Sequence, residues 1–174
     1  MTVLDPLTLP PVPWKNGGGV TREIAGSPPT WRLSLADVAS EGPFSVFSGL
    51  ERILTVIEGA GMELHFGQQV RHALLGEPLR FSGDDPVTGV LPHGPIRDLN
   101  LIYDPRQVNG TVEIFAGAQS LSTGPTEVAV YVLTGSATCQ GRHLEAGQMI
   151  LQRTAPLDLS EGTKVICISV SDCG

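Results

Sequence analysis

Glycine and proline interrupt this chain roughly every eight to twelve residues, and the runs between them are short and either β-branched or alternating. So many turn formers leave no stretch for an amphipathic helix longer than about three turns. The rhythm is that of a sandwich or barrel. In the run from Trp31 to Ala36, Trp31, Leu33 and Leu35 fall on one face of a strand, with Arg32 and Ser34 on the other. Residues 52–58, 62–66, 98–103, 112–115, 128–133 and 165–170 read as strands in the same way.

An internal repeat sharpens the expectation. The run from Leu54 to Met62 parallels that from Val130 to Thr138, each a strand turning at a glycine, Gly59 or Gly135. A second glycine, Gly76 or Gly147, then opens another strand. Strand, glycine turn, strand, glycine and strand again is the pattern of a cupin half-barrel, so the expected fold class is all-β, a bicupin of two fused barrels. Residues 1–105 would form the first, carrying the ligand pocket, and residues 106–174 the second. The stretch from Thr88 to Asn109, too hydrophobic for a free linker, would join them over one fused core.

Charge narrows the function. With 18 acidic against 11 basic residues the formal net charge is -7, and no run of Lys or Arg is present to attract a phosphate backbone, so nucleic acid is excluded as a partner. An anionic small molecule would need a local basic pocket that overrides this field, which makes each arginine worth placing. Cys139, Cys167 and Cys173 form neither an even disulfide set nor a C-x-x-C motif, and read as inert thiols. The opening run from Met1 to Pro6 lacks the basic and apolar regions of a signal peptide, and no segment reaches bilayer length. A cytoplasmic protein without membrane contact is expected, with strand edges that leave a homodimer open.

The segment from Trp14 to Ile24, WKNGGGVTREI, resembles the signature of the HutD/Ves family of bicupins. The runs from Trp31 to Val38, Gly42 to Phe47, Arg52 to Gly59 and Gly94 to Asn100 continue the resemblance in the same order. It is dense from residue 13 to 103 and beyond that rests on the Gly135 and Gly147 turns. The resemblance implies a bicupin fold, an association with histidine utilisation in bacteria, and a role in sensing or limiting an intermediate such as N-formylglutamate. It brings no established reaction.

The residues themselves suggest how such an anion would be held. Gly17, Gly18 and Gly19 after Asn16 can expose several N–H groups in one concave turn, fit for a carboxylate; the plainer reading is a tight loop packed under Trp14. Alternation places Arg22 with Val20 and Ile24, facing inward if those two do, where it needs a carboxylate from a ligand or from Glu58, Asp37 or Asp98. Arg32 on the next strand, with Arg97 and Asn100 from the far end of the first half, could complete a pocket if their strands are neighbours. Arginine forks suit a dicarboxylate, Asn16 and Asn100 could read an amide or formyl oxygen, and Trp14 could wall the pocket.

No metal and no cofactor are expected. Counting back from Gly59 at cupin spacing, the usual first ligands would fall near Ser45 to Ser48 and Arg52, and counting on from Gly76, the later His would fall near Val87, none a good ligand. The expected function is therefore metal-independent binding of a small anionic metabolite, without required turnover. Two alternatives stand beside it: a metal-free epimerase- or isomerase-like enzyme using Glu23, Asp37, Glu58 or His93 for proton transfer, and an interaction module whose arginines are all paired internally.

Overall fold

The computed structural model describes residues 1–174, which form nineteen strands and one short 3-10 turn. No helix is long and apolar enough to cross a membrane. The chain divides into two compact units, Leu9–Asn109 with Cys173–Gly174, and Met1–Thr8 with Gly110–Asp172.

In the Leu9–Asn109 unit a six-stranded antiparallel sheet runs in the order Val12–Pro13, Gly19–Ser27, Trp31–Val38, Ile96–Tyr103, Glu51–Glu58, Pro78–Ser82. Facing it, a four-stranded sheet is built from Gly42–Pro43, Thr88–Val90, Met62–Phe66 and Gln69–Ala73. Val38, Leu54, Val56 and Ile96 from the first sheet meet Met62, Leu64 and Ala73 from the second in one apolar core. Each large aliphatic side chain buried there contributes about 1.5–3 kcal/mol relative to exposure. The side of the six-stranded sheet that carries Val38, Leu54, Val56 and Ile96 is its inner face.

The second unit pairs a five-stranded with a four-stranded sheet around a core that includes Val130, Val132, Leu144, Ile150 and Val165. Its Glu127–Thr134 strand matches Glu51–Glu58 in length and in the turn that follows. Gly59 has φ +97° and Gly135 φ +73°, and a Cβ on either would meet a neighbour within 3.0 Å, so only glycine makes these turns without strain. The second glycines are equivalent too: Gly76 N–H donates to Val56 C=O at 2.8 Å, and Gly147 N–H to Val132 C=O at 2.9 Å.

Two boundaries differ from those read in the sequence. The first eight residues belong with the later unit, because Thr2–Leu4 pairs with Met149–Leu151, a partner that hydrophobic pattern cannot reveal. The stretch from Thr88 to Asn109 is no joint either. Its Ile96–Tyr103 strand sits between Trp31–Val38 and Glu51–Glu58, and the chain passes from one unit to the other inside the Val108–Ala116 strand.

Candidate anion-binding site

The glycine motif is a hairpin turn whose amides are largely used. Gly17 N–H donates to Trp14 C=O at 3.0 Å and Gly18 N–H to Asn16 Oδ1 at 2.9 Å, so the concave nest of free N–H groups does not form. A Cβ on Gly19 would lie 2.3 Å from Asp37 O and 3.2 Å from the Trp14 ring, which is why that position carries no side chain. Trp14 is half-buried, donates from Nε1 to Thr21 Oγ1 at 2.8 Å, and meets Phe44 edge-on with ring centroids 6.3 Å apart. Asn16 is exposed, its carbonyl oxygen committed to the turn. The motif is a tight loop under a tryptophan.

The four expected polar contacts separate onto the two faces of the six-stranded sheet. Val20 pairs with Asp37 and Arg22 with Leu35, which puts Arg22 on the outer face; Arg97, also paired with Asp37, joins it there. Arg22 Nη1 donates to Asp37 Oδ2 at 2.6 Å, Arg97 Nε to Asp37 Oδ1 at 2.7 Å, and Arg97 Nη1 to Glu58 Oε2. Burial alone would raise the Asp37 carboxyl, but hydrogen bonds from Arg22 and Arg97 outweigh it and hold the group below its ordinary value. Arg22 and Arg97 are thus paired internally, one of the alternatives the sequence left open. They cannot share a cavity with Arg32 and Asn100, which lie on the inner face.

The inner face holds a cluster that neither composition nor the motif announces. Arg32, Ile102 and Arg52 stand side by side across three strands, and Asn100 and Asp98 follow at alternate positions along Ile96–Tyr103. Arg52, Asp98 and Asn100 are all buried. The Arg52 guanidinium lies 5.4 Å from the Phe44 ring, 5.2 Å from Phe47 and 4.9 Å from Phe81, and Arg32 lies 5.1 Å from the same Phe47 ring. Arg52 Nη2 donates to Asn100 Oδ1 at 3.1 Å, and Asn100 Nδ2 to Asp98 Oδ1 at 2.7 Å. Neither Arg52 nor Arg32 is in a direct ion pair.

Two buried polar atoms in this cluster have no protein partner, Arg52 Nε and Asp98 Oδ2. Arg22 Nε on the outer face is the third such atom, but its guanidinium already has Asp37. Burial lowers the Arg52 pKa to about 10, with Asp98 opposing and Arg32 adding to the fall. Burial pushes Asp98 up to about 7, against the pull of Arg52 and the Asn100 hydrogen bond. Two cations thus share the barrel interior with one carboxylate, leaving a positive excess in a chain whose net charge is negative. An anion placed there would offset that excess.

The other unit supplies a contrast. Its buried Arg153 forms a two-pronged pair with Glu127, at 2.5 and 2.7 Å, and also donates to the backbone oxygens of Leu121, Ser122 and Ala155. That guanidinium is satisfied by protein alone. Of the residues weighed for proton transfer, Glu23 and His93 are exposed, the Glu58 side chain is 67% exposed, and Asp37 is held ionised between two arginines. No group of three His, Cys, Asp or Glu side chains is arranged to hold a metal ion.

Over the cluster runs the segment from Phe44 to Leu50, tied down by Phe44 N–H to Val87 C=O at 2.8 Å, Phe47 N–H to Gly83 C=O at 2.8 Å and Gly49 N–H to Asp84 Oδ1 at 3.0 Å. Phe44 and Phe47 point their rings at Arg52, while Ser45, Val46 and Ser48 are exposed. Phe81 lies against Arg52 and also lines an open surface cleft of about 660 Å³ beside Phe66, Arg71 and Asp85.

The chain is similar to known proteins along most of its length. The HutD family model matches residues 8–168. An uncharacterised 21.2 kDa protein from the hutC 3' region of Pseudomonas putida is 40% identical over 129 residues, covering 70% of this chain and 68% of that protein. Protein Ves of Citrobacter koseri is 32% identical over 155 residues, 85% of this chain and 81% of its own. Among solved structures, HutD from Pseudomonas fluorescens SBW25 superposes with a TM-score of 0.84 at 32% identity, covering 99% of both chains. A cupin barrel protein from Leptotrichia buccalis, at 15% identity and a TM-score of 0.65, shares the fold alone. With its two cupin-like units and a family match over residues 8–168, the chain belongs to the HutD family of bicupins.

Proposed function

We propose that this chain binds a small carboxylate metabolite inside the Leu9–Asn109 barrel, with Arg52 as the direct anion contact, and that occupancy serves to sense or limit an intermediate of histidine breakdown such as N-formylglutamate. The observation that carries the reading is Arg52 itself, a buried guanidinium on three aromatic rings whose Nε lacks a protein acceptor and whose neighbour Arg32 adds a second positive charge. A carboxylate on this fork satisfies the free donor and offsets the cationic excess together. The relatives bear on the pathway only through their names, HutD and a protein beside hutC. Access requires the segment from Phe44 to Leu50, or the Phe81 ring at the surface cleft, to yield.

The test is thermal unfolding and calorimetry with formate, acetate and N-formyl-L-glutamate, on the native chain, on Arg52→Lys and on Arg22→Ala. A ligand at a hundredfold excess over its Kd adds about 2.7 kcal/mol to the unfolding free energy. Stabilisation that is lost in Arg52→Lys and kept in Arg22→Ala supports the reading. Stabilisation lost only in Arg22→Ala would move the site to the outer face, and none with any carboxylate would leave the anion reading without foundation.

A second reading, acid–base catalysis without a metal, rests on Asp98: it is the one buried carboxyl on the inner face, and its raised value suits a group that exchanges protons near neutral pH. Turnover of a carboxylate substrate, with a bell-shaped pH profile that disappears in Asp98→Asn, would favour it.

A further inference from the structure

An arginine that binds a carboxylate needs no carboxyl group of its own beside it, yet Asp98 is buried within the same cluster. Asp98 Oδ1 is taken by Asn100 Nδ2 and Oδ2 by nothing in the protein. Asn100 spans the gap, so the unpartnered Arg52 Nε and the unpartnered Asp98 Oδ2 flank a single side-chain amide. A plain carboxylate placed on Arg52 would satisfy the donor and bring a second anion toward Asp98, leaving Oδ2 as it was. A ligand that also carries a hydrogen-bond donor would satisfy both.

Building on the carboxylate-binding reading above, we propose that the ligand bears an N–H or O–H group within a few bonds of its carboxylate, donated to Asp98 Oδ2, so that the barrel selects hydroxy or acylamino carboxylates over plain ones. Arg52 then recognises charge and Asp98 recognises the donor. Asn100, with its oxygen on one and its nitrogen on the other, is a positioning residue that fixes their spacing. Sites built to pair a substrate donor reject analogues that lack it far more strongly than apolar pockets reject a missing methylene, because the buried protein group is left unpaired.

Two isosteric pairs test this by calorimetry at pH 8: glycolate against propionate, which exchanges O–H for CH₃ on the carbon next to the carboxylate, and N-acetylglycine against levulinate, which exchanges an acylated N–H for CH₂ at the same position. In at least one pair the donor-bearing member should bind about tenfold or more tightly to the native chain. In Asp98→Ala the preference should fall to about twofold or less, while binding itself still depends on Arg52. Equal binding within both pairs on the native chain, lost in Arg52→Lys, overturns the selectivity and leaves the carboxylate site standing. Equal binding that weakens as pH rises past 7 overturns it too, since Asp98 would then be giving a proton to the ligand. A preference that survives in Asp98→Ala assigns the donor's partner elsewhere and overturns the role of Asp98, and if none of the four acids binds the native chain, both readings fail together. The native-chain comparison stands even if Asp98→Ala does not fold.

Discussion

Arg52 and Asp98 are joined through Asn100, which accepts from Arg52 Nη2 at 3.1 Å and donates to Asp98 Oδ1 at 2.7 Å. Both bonds have a charged partner when Asp98 is ionised, and hydrogen bonds to charged groups contribute about 1.5–3 kcal/mol each. Asn100→Ala removes both and leaves two buried groups further exposed to unfavourable surroundings. The expected loss is about 3 kcal/mol or more in urea unfolding at pH 8. A loss below about 1 kcal/mol would mean that water or rearrangement replaces the bridge at little cost.

The same cluster sets a pH dependence. Burial raises Asp98 in the folded state to about 7 from an ordinary value of 3.8. The folded protein therefore binds more protons than the unfolded chain between those values, and stability from this group falls as pH rises from about 4 to 7, then levels off. Asp98→Asn should remove that slope, so that the native chain loses stability relative to the variant between pH 5 and pH 8. Asp37 acts in the opposite sense: its value is lowered in the folded state, so the stability it supplies is present above its unfolded value and lost as pH falls through its folded one. Parallel pH curves for the native chain and Asp98→Asn would show that Asp98 is not desolvated.

How much of this the sequence discloses differs between framework and site. The turn glycines Gly59 and Gly135 are legible because positive φ admits little else, and the strands they end emerge at the expected places. Arg52 was within reach: it alternates with Leu54 and Val56, both core residues, and it falls where a metal-binding cupin would place a glutamate. A guanidinium does not ligate a metal as that glutamate would, but a cation at an inward position is itself the signal. Arg22 misleads because Val20 and Ile24 are taken as inward neighbours, while a bulge between Glu23 and Ala25 changes the phase and Asp37 stands across from Val20. Which face of a doubly buried sheet encloses a site is decided by partner strands that lie far away in sequence.

On the outer face, Asp37 serves two arginines and Glu58 only one. Asp37→Asn should cost about 1–2 kcal/mol, because two half-buried guanidiniums lose their shared anion. Glu58→Gln, at a side chain 67% exposed, should cost less than about 0.5 kcal/mol. Both variants should bind carboxylates as the native chain does, which calorimetry with formate checks. Weakened binding in Asp37→Asn would couple the two faces of the sheet.

The hairpin under Trp14 depends on the absence of one methyl group. A Cβ on Gly19 meets the Asp37 backbone oxygen at 2.3 Å, and backbone cannot swing aside as a flexible side chain can. Gly19→Ala should therefore destabilise by about 2 kcal/mol or more, with changed Trp14 fluorescence as the ring gives way. Gly17→Ala meets no neighbour but must hold φ +74°, so its cost is backbone strain of about 1 kcal/mol, and Trp14 should stay in place. A larger loss from Gly17→Ala would mean that turn conformation, rather than close packing, holds the motif.

The three thiols separate by burial. Cys139 is fully buried in an apolar core, out of reach of a reagent, and burial first, then Glu127, pushes Cys167 up to about 12, so Cys167 supplies no thiolate near neutral pH. Cys173 is exposed near the chain end. A disulfide-exchange reagent at pH 8 should titrate a single thiol in the native protein and all three in denaturant, and Cys173→Ser should abolish the native reaction. Since Cys167 shares its surroundings with the Glu127–Arg153 pair, reaction there in the native state would show that this pair opens readily. The contrast between a closed ion pair in one unit and an unpaired arginine in the other would then no longer single out Arg52.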